Sequence, residues 1–350
     1  VTETLITQDN QMGVITLNRP QALNALSPTQ FGTLDTCLRD WESDPSVSVV
    51  VIEGAGDKAF SAGGDIKAVW DGRLRGDDAA NREVFRAEYR LDRRIHHYPK
   101  PYVALLDGIV MGGGAGVSVN GRYRVVTERT VFAMPETAIG FFPDVGATHF
   151  LSRCPGRSGL FLGLTGTRLG AAEMLTAGLA THFVLSSEID EVKASLQWAS
   201  LSEDPAAAVK ATLARLHRPA GASWLEPVLE DIDVLCSAPG PAAILDALVG
   251  HGAAWALKAV KSMQAASPTS LAVTWRQLTR GYPLDFDDAI RQEFRLACAI
   301  LQGGEFFEGI RALVVDKDKS PRWAPATLAE VSDERLDTLF AGVGDELSFS

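Results

Sequence analysis

The sequence predicts an α/β core wound from repeated β-β-α units, followed by a C-terminal helical region. Three observations carry this. Apolar strand-like runs at residues 47–52 and 102–106 each lead into a glycine-rich loop and a probable helix start, so one unit occurs twice. Stacked copies of such a unit favour a spiral over a doubly wound sheet. The strand-and-turn texture then fades near residue 184. Beyond it, Ala-, Leu- and Glu-rich segments (204–216, 224–235, 241–248, 253–265 and 286–301) alternate with Pro and Gly, as helices joined by breaks do. These patterns place a core over residues 1–200 and a helical region over 201–350.

In chain order, residues 14–18 read as a strand that Arg19-Pro20 breaks. Ser27 is placed to cap a helix whose first position is Pro28. The run 47–52 is apolar on both faces, as a buried parallel strand requires, and 102–106 and 123–126 repeat the pattern. Between the first two of these runs, residues 81–97 form a charged amphipathic helix.

A chain of 350 residues suits a core domain with a substantial appendage. Its 33 basic and 44 acidic residues give a net charge of −11, which argues against non-specific nucleic-acid binding. Cys37, Cys154, Cys236 and Cys298 are scattered without metal or disulfide spacing, and the six histidines form no HExxH. No apolar run reaches the length of a membrane span, and the first twelve residues lack a signal-peptide pattern, so the expectation is a cytoplasmic protein with no membrane association. There is no GxSxG elbow, no GxxxxGK[ST] loop, and no GxGxxG followed by a ribose-binding acid.

The glycine loops are Phe60-Ser61-Ala62-Gly63-Gly64-Asp65-Ile66 and Met111-Gly112-Gly113-Gly114-Ala115-Gly116. Glycine lets a backbone N–H approach a ligand without a Cβ in the way, and a loop that opens a helix leaves its first N–H groups unpaired. One such loop alone is explained by a tight turn. Two that converge make an oxyanion hole, where each donor stabilises a developing negative oxygen by ~3–4 kcal/mol.

These two loops, together with Arg19-Pro20-Gln21-Ala22-Leu23-Asn24-Ala25-Leu26, resemble the signature segments of the crotonase (enoyl-CoA hydratase/isomerase) superfamily. The resemblance implies the crotonase-like spiral fold, with oxyanion donors at Gly64 and Gly113 and CoA contacts at Ala22, Leu23 and Ala62. It makes Lys67 either a contact for a CoA phosphate or a solvated helix-face lysine. Hydratases of this family use two glutamates. Here one position holds Gly116, and the other is Glu136 in Met134-Pro135-Glu136. Adding water across a double bond needs an acid and a base in concert, so Gly116 points away from simple hydration.

The stretch from Phe132 through Glu136 and Asp144 to Gly146 is similar instead to 3-hydroxyisobutyryl-CoA hydrolases. Glu136 and Asp144 match their acidic pair, and Glu88 in Phe85-Arg86-Ala87-Glu88-Tyr89 matches a further substrate-contacting acid. The tail agrees in its Ser267-Pro268, Arg276-Gln277-Leu278, Glu293-Phe294-Arg295 and Asp316-Lys317-Asp318-Lys319 segments. Without the likeness, Asp144 reads equally as a helix cap and Glu88 as a solvated helix acid.

The resemblance implies hydrolysis of a 3-hydroxyacyl-CoA thioester, 3-hydroxyisobutyryl-CoA foremost, in valine degradation; the alternatives are an enoyl-CoA hydratase/isomerase or a non-catalytic acyl-CoA-binding member. Gly64 and Gly113 would stabilise the oxyanion. Glu136 would act as nucleophile or as general base on water, and Asp144 would orient the 3-hydroxyl or the water. Gly113 and Glu88 would also contact the substrate. No cofactor is implied beyond the CoA that the substrate carries, and no metal. The family's assemblies imply a homotrimer or hexamer. His149, which follows Asp144, reads as a structural histidine.

Overall fold

A computed structural model describes residues 2–349. The strands are β1 (Thr4–Asp9), β2 (Met12–Leu17), β3 (Val49–Gly54), β4 (Ala59–Ser61), β5 (Tyr102–Leu106), β6 (Ile109–Met111), β7 (Tyr123–Val126), β8 (Val131–Ala133) and β9 (His182–Phe183). They form a six-stranded sheet in the order β1-β2-β3-β5-β7-β9 and a three-stranded sheet in the order β4-β6-β8. Each turn of the chain supplies one strand to each sheet, β3 then β4, β5 then β6, β7 then β8. This is the expected spiral of β-β-α units.

In the larger sheet β1 and β2 are antiparallel, and every later pairing is parallel, with Val51 opposite Val103 and Leu105 opposite Val125. Burial on both faces explains the apolar runs. Val14, Val49, Val51, Val103, Leu105 and Val125 pack against Val192 and Leu196 of the helix Ile189–Ala199 and against Val209 and Leu213 of the helix Pro205–Leu216.

Helix α1 (Pro28–Ser43) begins where Ser27-Pro28 predicts. The Gln30 side chain turns back to accept a hydrogen bond from the Ser27 N–H at 2.9 Å. Next come α2 (Ile66–Leu74), α3 (Asp78–His96) and α4 (Gly113–Val119). Helix α3 starts three residues before the predicted 81, because the Asp77 carboxylate accepts from the Ala80 N–H at 3.1 Å and caps it.

All strands among the described residues precede residue 184, so the change of texture is real, but it does not separate the compact units. The chain up to Gly64, Arg90–Phe132 and Arg168–Glu226 make one unit. Asp65–Tyr89, Ala133–Thr167 and the chain from Pro227 on make the other. The first holds the large sheet and the glycines of both loops. The second is mainly helical, built around the fully buried helix Ser158–Thr165 and the long helices Pro268–Gly281 and Phe286–Gln302.

Candidate active site

In the first unit, the Arg19–Leu26 segment and the two glycine loops come together. Leu23 and Asn24 adopt left-handed backbone (φ 52° and 54°), which turns the segment sharply. The Leu26 N–H donates to the Gly63 carbonyl at 2.8 Å, and the Ala62 N–H donates to the Leu23 carbonyl at 2.9 Å. Three of the residues expected to contact CoA, Ala22, Leu23 and Ala62, thus lie on adjoining backbone.

Gly63 is itself left-handed at φ 107°, and a Cβ there would stand 3.0 Å from the Met111 carbonyl and 3.4 Å from the Gly113 nitrogen. The loops therefore touch backbone to backbone. The Gly113 amide opens α4, so helix geometry leaves it unpaired. Neither the Gly64 nor the Gly113 N–H has a hydrogen-bond partner among the described residues. A Cβ on Gly64 would meet nothing within 4 Å, so open space lies beside it. Two unspent donors on touching loops, one of them at a helix N-terminus, suit an oxygen that gains negative charge. Gly116 is buried inside α4 and brings no acid.

The second unit gathers the carboxyl groups. Glu88 projects from α3, Glu136 opens a 3-10 turn (Glu136–Ile139) after Pro135, and Asp144 stands in the loop before the short helix α5 (Ala147–Phe150). All three are at most 6% exposed. Burial raises Glu88 well above the ordinary carboxyl range, helped by the charges of Asp144 and Glu136. Glu136 rises likewise through burial and Asp144. Burial pushes Asp144 up to about 7, against the pull of a hydrogen bond from Tyr89. One oxygen of Glu136, Oε2, is buried with no hydrogen-bond partner. Buried carboxyls that face one another hold protons near neutral pH, which equips them for acid–base work.

Lys67 is the remaining residue expected near CoA. It lies exposed on α2 and pairs with Asp71 at 2.9 Å, one helical turn on. His149 packs edge-on against Phe286, and burial with Arg153 lowers it to about 4, in keeping with a structural histidine.

Four residues lie inside segments already singled out in the sequence, but their individual parts in this architecture emerge only in the structure. Buried Asn24 holds the first segment, donating to the carbonyls of Ala55 at 2.9 Å and Ala59 at 2.8 Å, and accepting from the Arg19 N–H. The Tyr89 hydroxyl donates to Asp144 Oδ2 at 2.6 Å. Glu293 and Gln277, both fully buried, bind the loop that follows Pro143. The tail likeness marked the segments of Gln277 and Glu293, and a polar residue on the apolar face of an amphipathic helix is the further signal that could have marked the residues themselves.

Comparison with known proteins agrees with the site. Residues 12–340 match the enoyl-CoA hydratase/isomerase family. The mitochondrial 3-hydroxyisobutyryl-CoA hydrolase of Gallus gallus is 43% identical over 348 residues, covering 98% of this chain and 90% of that protein. The same-named human protein is 41% identical, covering 98% and 89%. Among solved structures, a carnitinyl-CoA dehydratase from Mycobacterium thermoresistibile superposes with a TM-score of 0.93 at 40% identity, covering 100% of this chain and 99% of that one. An enoyl-CoA hydratase from Rhodobacter sphaeroides superposes at 0.92 with 37% identity, covering 99% and 100%.

The expected cytoplasmic location does not stand, because these hydrolase relatives are mitochondrial proteins. That expectation came from the lack of a targeting pattern, and targeting segments are cleaved from mature chains. The match over nearly the whole length, the spiral of β-β-α units and the paired glycine loops together show that this chain belongs to the enoyl-CoA hydratase/isomerase (crotonase) family.

Proposed function

We propose that this protein hydrolyses 3-hydroxyisobutyryl-CoA, or a closely similar 3-hydroxyacyl-CoA, to the free 3-hydroxy acid and CoA, a reaction of valine degradation. The observation that carries the reading is the buried group Glu88, Glu136 and Asp144, set against the absence of an acid at Gly116. Relatives above 40% identity over almost the full chain, named for this activity, support it.

In this reading the Gly64 and Gly113 amides take the thioester oxygen as it becomes an oxyanion. Glu136 attacks the carbonyl carbon, the C–S bond breaks with its electron pair leaving on sulfur, and water cleaves the mixed anhydride. The alternative step is Glu136 taking a proton from water that attacks directly. Asp144 and Glu88 face the 3-hydroxyl, and a substrate without it would leave buried carboxyls unpaired, which is costly. Ala22, Leu23 and Ala62 line the CoA chain. CoA enters as part of the substrate, so the reaction uses no separate cofactor. The family's trimers and hexamers supply the expected assembly.

A second reading is hydration or dehydration of an acyl-CoA, favoured by the names of the two solved structures with TM-scores above 0.9. The two separate cleanly. The enzyme is given 3-hydroxyisobutyryl-CoA with a thiol reagent, and crotonyl-CoA with detection of the enoyl chromophore. Thiol release without loss of the chromophore supports hydrolysis; hydration without thiol release overturns it.

A further inference from the structure

The loop carrying Asp144 is held in an unfavourable shape. Val145 has φ 55° and Gly146 φ 91°, two successive left-handed residues, and Val145 is β-branched, the type least suited to that region. A turn of this kind persists only if its surroundings hold it. Two fully buried side chains from the C-terminal helices do so. Glu293 accepts from the Gly146 N–H through Oε2 and from the Thr148 N–H through Oε1, each at 2.7 Å. Gln277 donates from Nε2 to the Pro143 carbonyl and to Thr148 Oγ1, also at 2.7 Å each. Pro143, Gly146 and Thr148 bracket Asp144, so the clamp grips both sides of the acid without touching its carboxylate. The neighbouring Phe294 ring packs edge-on against Tyr89, whose hydroxyl binds Asp144 Oδ2.

We infer that Glu293 is a positioning residue for thioester hydrolysis: its carboxylate holds the strained Val145-Gly146 turn and thereby sets where Asp144 stands. The inference rests on the reading that Glu136 and Asp144 serve that reaction. Both backbone bonds need acceptor oxygens, and only a carboxylate presents two. An amide of the same shape keeps one and turns an NH2 group against the other N–H.

The test measures thiol release from 3-hydroxyisobutyryl-CoA by Glu293→Gln, Val145→Gly and the double variant. Glu293→Gln lowers kcat by about 10–100-fold, the scale of one lost hydrogen bond to a charged group, and leaves KM within about twofold. Glycine at 145 removes the strain that Glu293 opposes, so Val145→Gly in the same chain restores at least about fivefold of the lost kcat.

A purely structural Glu293 would lower the thermal midpoint while kcat of the folded protein stays unchanged; that result overturns the proposal, as does a loss that Val145→Gly fails to relieve. If Glu293→Gln does not fold, the double variant decides: a folded, active double variant supports the clamp, and an unfolded or inactive one overturns it. Glu136→Gln run alongside tests the underlying reading. Full turnover there removes the hydrolytic reading, whereas an inactive Glu136→Gln beside a fully active Glu293→Gln removes this inference alone.

Discussion

Replacing Tyr89 by Phe removes one oxygen and the hydrogen bond it gives to Asp144 Oδ2 at 2.6 Å. The ring itself is fixed by Phe85 at 6.0 Å and Phe294 at 6.3 Å, both edge-on, so phenylalanine fits the same space. The bond favours the ionised form of Asp144, and losing it raises that group further above about 7. A hydrogen bond to a charged group contributes about 1.5–3 kcal/mol net, and one pKa unit corresponds to about 1.36 kcal/mol, so the rise is roughly 1–2 units. The other groups facing Asp144 are Glu88 on the same helix as Tyr89, Glu136 on its 3-10 turn and Glu293 on the C-terminal helix, and the substitution leaves them in place. If turnover needs Asp144 ionised, the acid limb of kcat/KM moves up by the same 1–2 units, while the rate on the alkaline plateau changes little. The assay is thiol release between about pH 5 and 9.5. A limb that stays within about 0.3 units of the parent's in the folded variant would refute the assignment of that limb to Asp144.

Further outcomes follow from the same geometry. Glu136→Gln lowers thiol release by about 10²–10⁴-fold yet binds a CoA ester with near-parental affinity by calorimetry, since it alters the group that acts and not those that hold CoA. The buried acids make the fold less stable as pH rises. Burial lifts Asp144 from 3.8 to about 7, so its contribution to stability is fully present below about pH 4 and lost as pH passes 7. The thermal midpoint therefore falls from pH 5 to 8, and Asp144→Asn flattens that fall. Among the loop glycines, Gly114→Ala puts a Cβ 2.6 Å from the Ser61 carbonyl and costs about 1–3 kcal/mol in a melt. Gly64→Ala meets nothing within 4 Å and keeps its stability, but lowers turnover by placing a methyl where the thioester oxygen belongs.

Local features of this chain were legible in its sequence wherever the physics is local. Strand β5 matches the apolar run at 102–106, because burial on both faces leaves an unbroken apolar signature, and β7 matches 123–126, where only Arg124 interrupts the pattern. The run at 47–52 is offset: the strand starts at Val49, since the Val47 N–H is spent on the Asp44 carbonyl in the preceding turn. The glycine loops, Glu136 and Asp144 could be read because each sits in a contiguous motif. Tyr89, Gln277 and Glu293 could not, because each acquires its meaning from a partner 55, 134 or 147 positions away. On a helix face, Gln277 and Glu293 look like ordinary polar residues until the loop they bind is in view. Lys67 is read from its place beside the loop, and in the structure its exposed side chain pairs with Asp71.

The interleaving of the two compact units also bears on how this chain is made. A ribosome delivers residues in order, and the first unit lacks its last segment until Glu226 has emerged. The second waits longer still, because the turn that carries Asp144 meets its Glu293 acceptor 147 residues later. A nascent chain therefore presents its glycine loops well before its acid turn is set. Premature termination anywhere before that helix yields a product that can begin to fold around the large sheet yet has no fixed Asp144. No single cut along the backbone divides the chain into its two finished halves.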